Sequence, residues 1–477
     1  NCFQLKINIF FIYFFMCGIT AIFYKNNNNA LEIYESLLSI QHRGQDGAGI
    51  CCINDKSNII ISRKGLVSDS FDYNELKELK GNVYLGHNRY KTNNVHYSFQ
   101  PFNLKNNNFD LYLCHNGNII NTRVIENILK NHYDFINENE VSDSLLLLQL
   151  IFYYINKKCS SIKELNENII FQLSDFLHDN IIGSYSLILY IRNFGLILLK
   201  DKNGIRPLVF GKNNNNDILV SSESCSFNNI LNYKVNREIE CGETLILKIN
   251  GEIIQNIYKN SSLSPCLFEY IYFSRLDSML YDISVYNFRF NLGKLLGKII
   301  LENNLDIDFI IPTPETSRVY AYGLSNYTKI PIQECIIKNR YINRTFIIKD
   351  KKNIELNVKR KFSVIKELLN DKKVLLIDDS IVRGNTSKNI INLLKEGGTS
   401  KIFFASAAPK IYNTNQYGIY IEKQNELITY KNHDNKNIAK SIGADMIFYN
   451  NLYETLNLIK LMNNNIKNME ISMFKQL

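Results

Sequence analysis

The sequence predicts two architectures in one chain: an α+β first half of stacked antiparallel sheets with helices packed on them, and an α/β second half with a mostly parallel sheet. Three observations carry this reading. Residues 17–250 hold short β-type runs broken by two helical stretches. Residues 260–460 alternate strand and helix. Residues 374–377 form a continuous apolar run, as a strand buried on both faces requires, and a helical stretch follows a short polar turn. The 477 residues suffice for two or three domains, and a 45% hydrophobic content supplies sizeable cores.

Residues 9–15 (IFFIYFF) are an apolar run too short to span a bilayer, with Lys6 ahead of it and no small-residue cleavage site behind. The first residue is Asn rather than Met. Residues 1–16 are therefore expected to be a start extension or pro-segment absent from the mature protein. Strands are expected at 19–24, 59–62, 83–86, 111–114, 186–199 and 218–221. Helices are expected over 30–41 and 142–155, the second with an apolar stripe from Leu145 to Leu150. Asn runs at 26–29, 106–108, 213–216 and 463–465 read as turns or surface loops. A polar stretch within 251–265 suggests a boundary, giving a first domain over 17–250 and a second over 260–460. In the second, a strand at 308–311 leads into the turn Pro312-Thr313-Pro314-Glu315-Thr316-Ser317. The strand at 374–377, a helix over 387–396 stopped by Gly397-Gly398, and a strand at 402–408 make a βαβ unit.

The formal net charge of +9 is spread along the chain. A nucleic-acid surface would need a dense run of positives, whereas anionic phosphate substrates suit a diffuse excess. The ten Cys residues form no CxxC pair and none lies beyond Cys335. This argues against a zinc site or a disulfide framework and for a reduced, cytoplasmic setting.

Two segments carry chemistry. The first begins at Met16-Cys17-Gly18-Ile19. A free thiol with a pKa near ~8.5 is about one part in thirty thiolate at neutral pH, and an adjacent α-amine can take its proton. Cys17 therefore works as a nucleophile with its own base if it becomes the mature N-terminus; otherwise it is a small Cys in a strand. Its companions are Gln41-His42-Arg43-Gly44-Gln45-Asp46, Gly86-His87-Asn88-Arg89-Tyr90-Lys91-Thr92, Cys114-His115-Asn116-Gly117-Asn118 and Ser142-Asp143-Ser144. Ser142 or Asp143 also suits a plain helix cap. Together they form a coherent amide-hydrolysis site. Arg89 can grip a glutamine α-carboxylate, Asp143 can take its ammonium, and the Asn116 amide with the Gly117 N–H can form an oxyanion hole. MCGITAIF, QHRGQDGAG, GHNRYKT, HNGN and SDS, in this order, resemble the glutaminase half of the N-terminal-nucleophile amidotransferases. The resemblance implies the same roles: Cys17 as nucleophile with its own amine as base, Arg89 and Asp143 on glutamine, Asn116 and Gly117 on the oxyanion.

The second segment is residues 374–387 (VLLIDDSIVRGNTS). A buried strand delivers Asp378 and Asp379 to its C-terminal end, where ligands of open α/β sheets bind. Gly384, Asn385, Thr386 and Ser387 then open a helix whose N–H groups and hydroxyls suit a phosphate monoester. The two carboxylates suit ribose hydroxyls or a magnesium ion. A plain acidic turn capping a helix is the alternative; a Walker P-loop is excluded because GxxxxGK[ST] is absent. The pattern resembles the motif by which type I phosphoribosyltransferases bind phosphoribosyl pyrophosphate (PRPP). Segments 201–207 (DKNGIRP), 266–275 (CLFEYIYFSR), 282–286 (DISVY), 311–317 (IPTPETS) and 338–347 (KNRYINRTFI) extend a resemblance to the amidophosphoribosyltransferase family over residues 16–449.

That resemblance implies an N-terminal-nucleophile sandwich followed by a type I phosphoribosyltransferase domain, making 5-phosphoribosylamine from PRPP and glutamine at the first step of purine biosynthesis. It puts PRPP on Asp378, Asp379, Ser380, Arg383, Gly384, Asn385, Thr386 and Ser387. It puts Lys338, Arg340 and Arg344 on a lid over the pyrophosphate, and one magnesium ion per subunit on Thr316, Asp378 and Asp379. It further implies a cytoplasmic homotetramer regulated by purine nucleotides, with no nucleic-acid or membrane partner and with ammonia passing between the two sites along a dry path. No iron–sulfur cluster is expected, because some relatives hold theirs on C-terminal Cys residues that this chain lacks. Leu276, Ile182 and Ser184 depart from residues common in the family. Two other readings are a nucleic-acid-binding regulator on the phosphoribosyltransferase fold, and another amidotransferase sharing this glutaminase, such as glucosamine-6-phosphate synthase.

Overall fold

The computed structural model describes residues 16–90, 99–130, 142–230, 232–339, 361–419, 423–432 and 434–476. The first half stacks two antiparallel sheets. One has seven strands, in spatial order Lys234–Glu238, Val209–Lys212, Ile218–Ser221, Gly18–Asn29, Lys80–Arg89, Gly47–Ile53 and Asn58–Lys64. The other has six: Ile253–Ile257, Glu243–Lys248, Gly195–Lys200, Gly183–Ile191, Asp110–Ile119 and Phe102–Lys105. Alternation decides the layers. Ile19, Ala21, Val83 and Leu85 of the first sheet meet Tyr112, Cys114, Ile188 and Leu198 of the second in a shared core. Their sequence neighbours face outward under helices: Ile22 and Tyr84 pack with the helix Leu31–Ser39. Leu111, Leu113, Leu187 and Leu189 pack with the helices Asp143–Lys158 and Glu167–Asn180.

Two expectations change here. The run at 186–199 is a hairpin, not one strand: Asn193 turns the chain at φ 63° between Gly183–Ile191 and Gly195–Lys200. The first half also holds the helices Thr122–Lys130 and Glu167–Asn180 beside the two expected ones. Their signals were present in the chain: Ile125 and Leu129 are four apart, and Asn166 caps the second helix by accepting from the Ile169 N–H at 3.2 Å.

The second half is built on four parallel strands, Phe309–Pro312, Lys373–Asp378, Lys401–Ser406 and Met446–Tyr449, in that order. Leu375, Ile377, Phe403 and Ala405 face the helix Val285–Glu302, and Val374, Leu376, Ile402 and Phe404 face the helices Asn385–Glu396 and Asn435–Ile442. The βαβ unit is therefore present, its helix beginning two residues before the expected start. Its stop falls on Gly398, at φ +95°. The short antiparallel ribbon Ile336–Lys338 with Phe362–Val364 brackets residues 340–360, so Arg340 and Arg344 lie outside the described residues, as do residues 1–15. Among the described residues no helix is long and apolar enough to cross a membrane.

Candidate active sites

Cys17 lies immediately before the strand Gly18–Asn29, whose Gly18 pairs with Asn88. Arg89 therefore ends the neighbouring strand beside the thiol, and the next backbone N–H, that of Tyr90, points at the sulfur. Burial pushes the Cys17 thiol up. The Tyr90 N–H, Arg89 and Arg43 pull it down, while Asp143 opposes them. The net direction is upward, so the thiol is protonated at neutral pH and needs a base. In the chain with Met16 attached, the nitrogen of Cys17 is an amide and cannot serve. Met16 itself is buried and donates its N–H to the Arg43 carbonyl at 3.1 Å.

The second sheet supplies the facing wall. Cys114 is within electrostatic reach of Cys17, and Asn116, two residues on, shares its face of the strand. Asn116 is fully buried, yet neither atom of its amide has a hydrogen-bond partner among the described residues. Leaving such a group unsatisfied costs ~1–3 kcal/mol, so the amide is a donor held ready for something that enters. Gly117 has φ +158°, and a Cβ there would sit 1.9 Å from the Ser184 carbonyl oxygen, so only glycine fits. Ser142 is the cap of the helix Asp143–Lys158, accepting from the Leu145 N–H at 3.3 Å. This leaves Asp143 as a first-turn carboxylate. It accepts from the Ile119 N–H at 3.1 Å and from the Ser144 N–H at 2.8 Å. Arg89 stacks 5.0 Å from the centroid of the Phe99 ring.

Behind Cys17 is a buried ion network. Arg43 Nε donates to the Cys17 carbonyl at 3.2 Å, and its other nitrogens reach Glu223 Oε1 at 2.5 Å and Glu269 Oε1 at 2.8 Å. Glu223 also meets His42 Nε2 at 2.7 Å and accepts from Ser278 Oγ at 2.7 Å. Against the upward push of burial, His42 and Arg43 hold the Glu223 carboxyl well below the usual carboxylate range. Glu269 binds Arg206 as well, and Arg206 Nη2 donates to the Tyr417 carbonyl. The segment around Tyr417 lies against the strands Asp110–Ile119 and Gly183–Ile191: Asn118 Nδ2 donates to the Gln416 carbonyl and Ser184 Oγ to the Tyr417 carbonyl, both at 2.8 Å.

In the second half, Asp378 ends its strand and Asp379 follows. Ser317 Oγ donates to Asp378 at 3.0 Å, Thr316 Oγ1 to Asp379 Oδ2 at 2.5 Å and Ser380 Oγ to Asp379 Oδ1 at 2.7 Å. The turn from the neighbouring strand thus meets the acidic pair as the sequence suggests. Burial pushes both carboxyls up, and the charge of Asp379 pushes Asp378 further. Two adjacent buried carboxylates and a hydroxyl form an oxygen donor set of the kind magnesium takes, with water and substrate oxygens completing it. No cluster of three or more His, Cys, Asp or Glu suited to a metal occurs among the described residues. Gly384 caps the helix Asn385–Glu396 at φ +78°, Thr386 is half-buried and Ser387 is buried. Arg383 forms an ion pair with Glu426. Lys338 ends its ribbon strand, half-buried.

Gly384→Ala puts a Cβ on a left-handed residue, at a cost of ~1–2 kcal/mol. With ammonia as the nitrogen donor, this variant is expected to raise the KM for PRPP by roughly tenfold, since that cost falls on the helix start meant for the phosphate. An unchanged KM would remove the helix start from the phosphate site.

Known proteins share these features. A glutamine amidotransferase domain model matches residues 87–229. The amidophosphoribosyltransferase of Pasteurella multocida is 36% identical over 470 residues, covering 96% of this chain and 92% of its own length. That of Escherichia coli is 36% identical over 474 residues, with the same two shares. The chain belongs to the amidophosphoribosyltransferase family. A solved structure described as glutamine PRPP amidotransferase from B. subtilis complexed with ADP and GMP matches with a TM-score of 0.82 at 30% identity, over 96% of this chain and 94% of that one. A relation of this extent makes the chain an amidophosphoribosyltransferase of purine biosynthesis, and sets aside both the nucleic-acid-binding regulator and the other amidotransferases.

The site motifs are short runs of sequence, but several of the residues that support them lie far away in the chain. The motif around Arg43 does not show what the guanidinium meets; its partners Glu223 and Glu269 lie 180 and 226 residues away. Lys361, whose ammonium burial lowers to about 8, sits opposite Asn339 on the ribbon and carried no sequence signal. Of the three departures, Ile182 is exposed, Leu276 accepts the Tyr286 N–H at its carbonyl, and Ser184 makes the bond to Tyr417.

Proposed function

We propose that this amidophosphoribosyltransferase converts glutamine, PRPP and water to 5-phosphoribosylamine, glutamate and pyrophosphate, with the residue roles that follow. The mature chain begins at Cys17. Arg89 takes the α-carboxylate of glutamine and Asp143 its α-ammonium. The Cys17 thiol attacks the side-chain carbonyl carbon, passing its proton to its own α-amine. The oxyanion rests on the Asn116 amide and the Gly117 N–H, each worth ~3 kcal/mol in the transition state. The amine returns the proton to the departing ammonia, and water cleaves the thioester to release glutamate and restore the thiol.

In the second site, Gly384, Asn385, Thr386 and Ser387 hold the 5′-phosphate, with Ser380 and Arg383 beside them. Asp378 and Asp379 hold the ribose hydroxyls, and with Thr316 they are the residues to hold magnesium. A bound magnesium ion supplies charge neutralisation for the departing pyrophosphate. Lys338, Arg340 and Arg344 close over that pyrophosphate. Ammonia then attacks C1, and excluding water keeps it unprotonated until it does. A homotetrameric assembly, regulation by purine nucleotides and a cytoplasmic location complete the reading. The nucleotides in the B. subtilis relative's structure support the second of these.

The observation that carries the reading is the buried, unpartnered Asn116 amide on the wall that faces Cys17, with Arg89 and Asp143 both acting on the same thiol. The test is the intact mass of the natively produced enzyme. It is expected to match a chain starting at Cys17, with glutamine-dependent turnover confined to that form. A protein that keeps residues 1–16 and still hydrolyses glutamine at full rate would refute the role of the terminal amine.

A further inference from the structure

Gln100 is buried, 7% exposed, just ahead of the strand Phe102–Lys105, and the roles above leave it unused. Its side chain bridges two parts of the glutamine site. Oε1 accepts from the His115 backbone N–H at 2.6 Å, and Nε2 donates to Ser144 Oγ at 3.1 Å. A backbone N–H can only donate, so it fixes which end of the amide carries oxygen and which faces the serine. His115 is the residue before Asn116, the side-chain oxyanion donor. Ser144 is the residue after Asp143, and its Oγ lies 2.8 Å from His115 Nδ1 and 3.2 Å from Asp143 Oδ1.

Counting hydrogens shows where this chain of bonds points. Burial lowers the His115 pKa against the pull of Asp143 and of a hydrogen bond to the Ser184 backbone, which leaves the ring neutral with one N–H. The ring also meets the Ser184 backbone, and its Nδ1 lies 2.8 Å from Ser144 Oγ. Gln100 Nε2 can only donate, so the serine oxygen accepts from Gln100, and the serine hydroxyl is placed to donate to Asp143 Oδ1. Asp143 thereby receives the Ser144 N–H and O–H on one oxygen and the Ile119 N–H on the other. This set fixes its orientation.

We propose that Gln100 is a positioning residue for the glutaminase half-reaction: one amide ties the carboxylate that takes the substrate ammonium to the strand that carries the oxyanion donors. It rests on the roles proposed for Asp143 and Asn116, and it assigns the coupling between them to a residue that touches neither substrate nor thiol.

The test uses steady-state kinetics of the full mature enzyme with glutamine, and ammonia-dependent synthesis as the control. Ser144→Ala removes the hydroxyl that meets Asp143, Gln100 and His115, and leaves the Gln100 bond to the His115 backbone N–H in place. It is expected to raise the glutamine KM about tenfold while kcat stays within about threefold. Gln100→Leu frees both ends. It is expected to raise KM by a similar factor and also to lower kcat by about tenfold or more, because the backbone before Asn116 loses its acceptor. The double variant should show a KM no worse than Gln100→Leu alone. Ammonia-dependent synthesis should stay within about twofold throughout, a split that a general loss of packing would not produce. Glutamine kinetics unchanged by Gln100→Leu, or a loss shared equally by the ammonia reaction, would overturn the proposal. If Gln100→Leu does not fold, an unchanged KM in Ser144→Ala overturns it instead. Asp143→Asn run in parallel separates the two levels. If its glutamine KM is normal, the ammonium-site role fails and the coupling with it; if it is raised while Gln100→Leu is silent, only the coupling fails.

Discussion

Cys17→Ala is expected to lower glutamine-dependent synthesis by roughly 10⁴-fold or more while leaving ammonia-dependent synthesis within about a factor of two, because loss of a covalent nucleophile is among the most costly single changes an enzyme can suffer. The reason lies in the separation of parts. Cys17 sits at the edge of the first half, where its thiol belongs to no core cluster and its backbone is held through its carbonyl by Arg43. Removing the sulfur therefore leaves the fold intact. No other residue can stand in: Cys114 and Cys51 are fully buried, with burial holding both thiols well above their ordinary values. The second site shares none of these groups, so ammonia supplied as ammonium chloride at alkaline pH should still reach C1 of PRPP. Pyrophosphate release measured with each nitrogen source gives the two rates. Equal loss with both donors would mean that the two chemistries are not divided between two sites.

The sequence was most legible where a function or a fold depends on neighbours along the chain. The strand Lys373–Asp378 could be read because it is buried on both faces and so is apolar at every position, and because its carboxylates and the helix start follow at once. Asn116-Gly117 and Ser142-Asp143 were equally readable, since each places a specific polar pair at the end of a strand or the start of a helix. The hairpin at Asn193 joins two apolar strands that are both inside the sheet, and its only mark in the chain is the short polar break Arg192-Asn193 with Gly195 after it. The helix Glu167–Asn180 carries more polar than apolar residues, and its buried stripe of Ile170, Leu173 and Leu177 shows only when residues are taken at helical spacing.

What could not be read were the partners brought together by folding alone. Nothing near Arg43 in the chain announces that Glu223 and Glu269 will neutralise it in the interior. Yet an unpaired guanidinium there would be untenable, and removing one partner of such a buried pair typically costs ~3–5 kcal/mol. The same carboxylate of Glu269 holds Arg43, which holds the Cys17 carbonyl, and Arg206, which holds the Tyr417 carbonyl beside Asn118. The seam between the two halves thus carries buried charges beside the apolar contacts of Met16 and Ile205, and apolar patterns do not report the charges. The Gln100 bridge is a further case. Its amide is ordinary in sequence, and its meaning comes from residues 15 and 44 positions away.

Asp379→Asn should abolish synthesis with either nitrogen donor, by about 10³-fold or more on the scale typical of lost charge stabilisation at a phosphoryl-type centre. The substitution keeps the shape of the side chain and an oxygen for the Thr316 or Ser380 hydroxyl, but it removes one of the two negative charges that a divalent cation and the ribose would meet. Stability should move the other way. Burial raises the pKa of both Asp378 and Asp379, and the charge of Asp379 raises that of Asp378 further, so at neutral pH the ionised pair destabilises the native fold. Replacing one member with a neutral amide relieves the repulsion, and the melting temperature without added metal should be unchanged or slightly higher. A site evolved for a charged ligand characteristically behaves this way, whereas a structural acidic turn would lose stability on the same change. Thermal melts and pyrophosphate release on the same preparation decide between them: a variant with normal PRPP turnover, or one that melts several degrees lower, would show that the pair serves the fold and not the reaction.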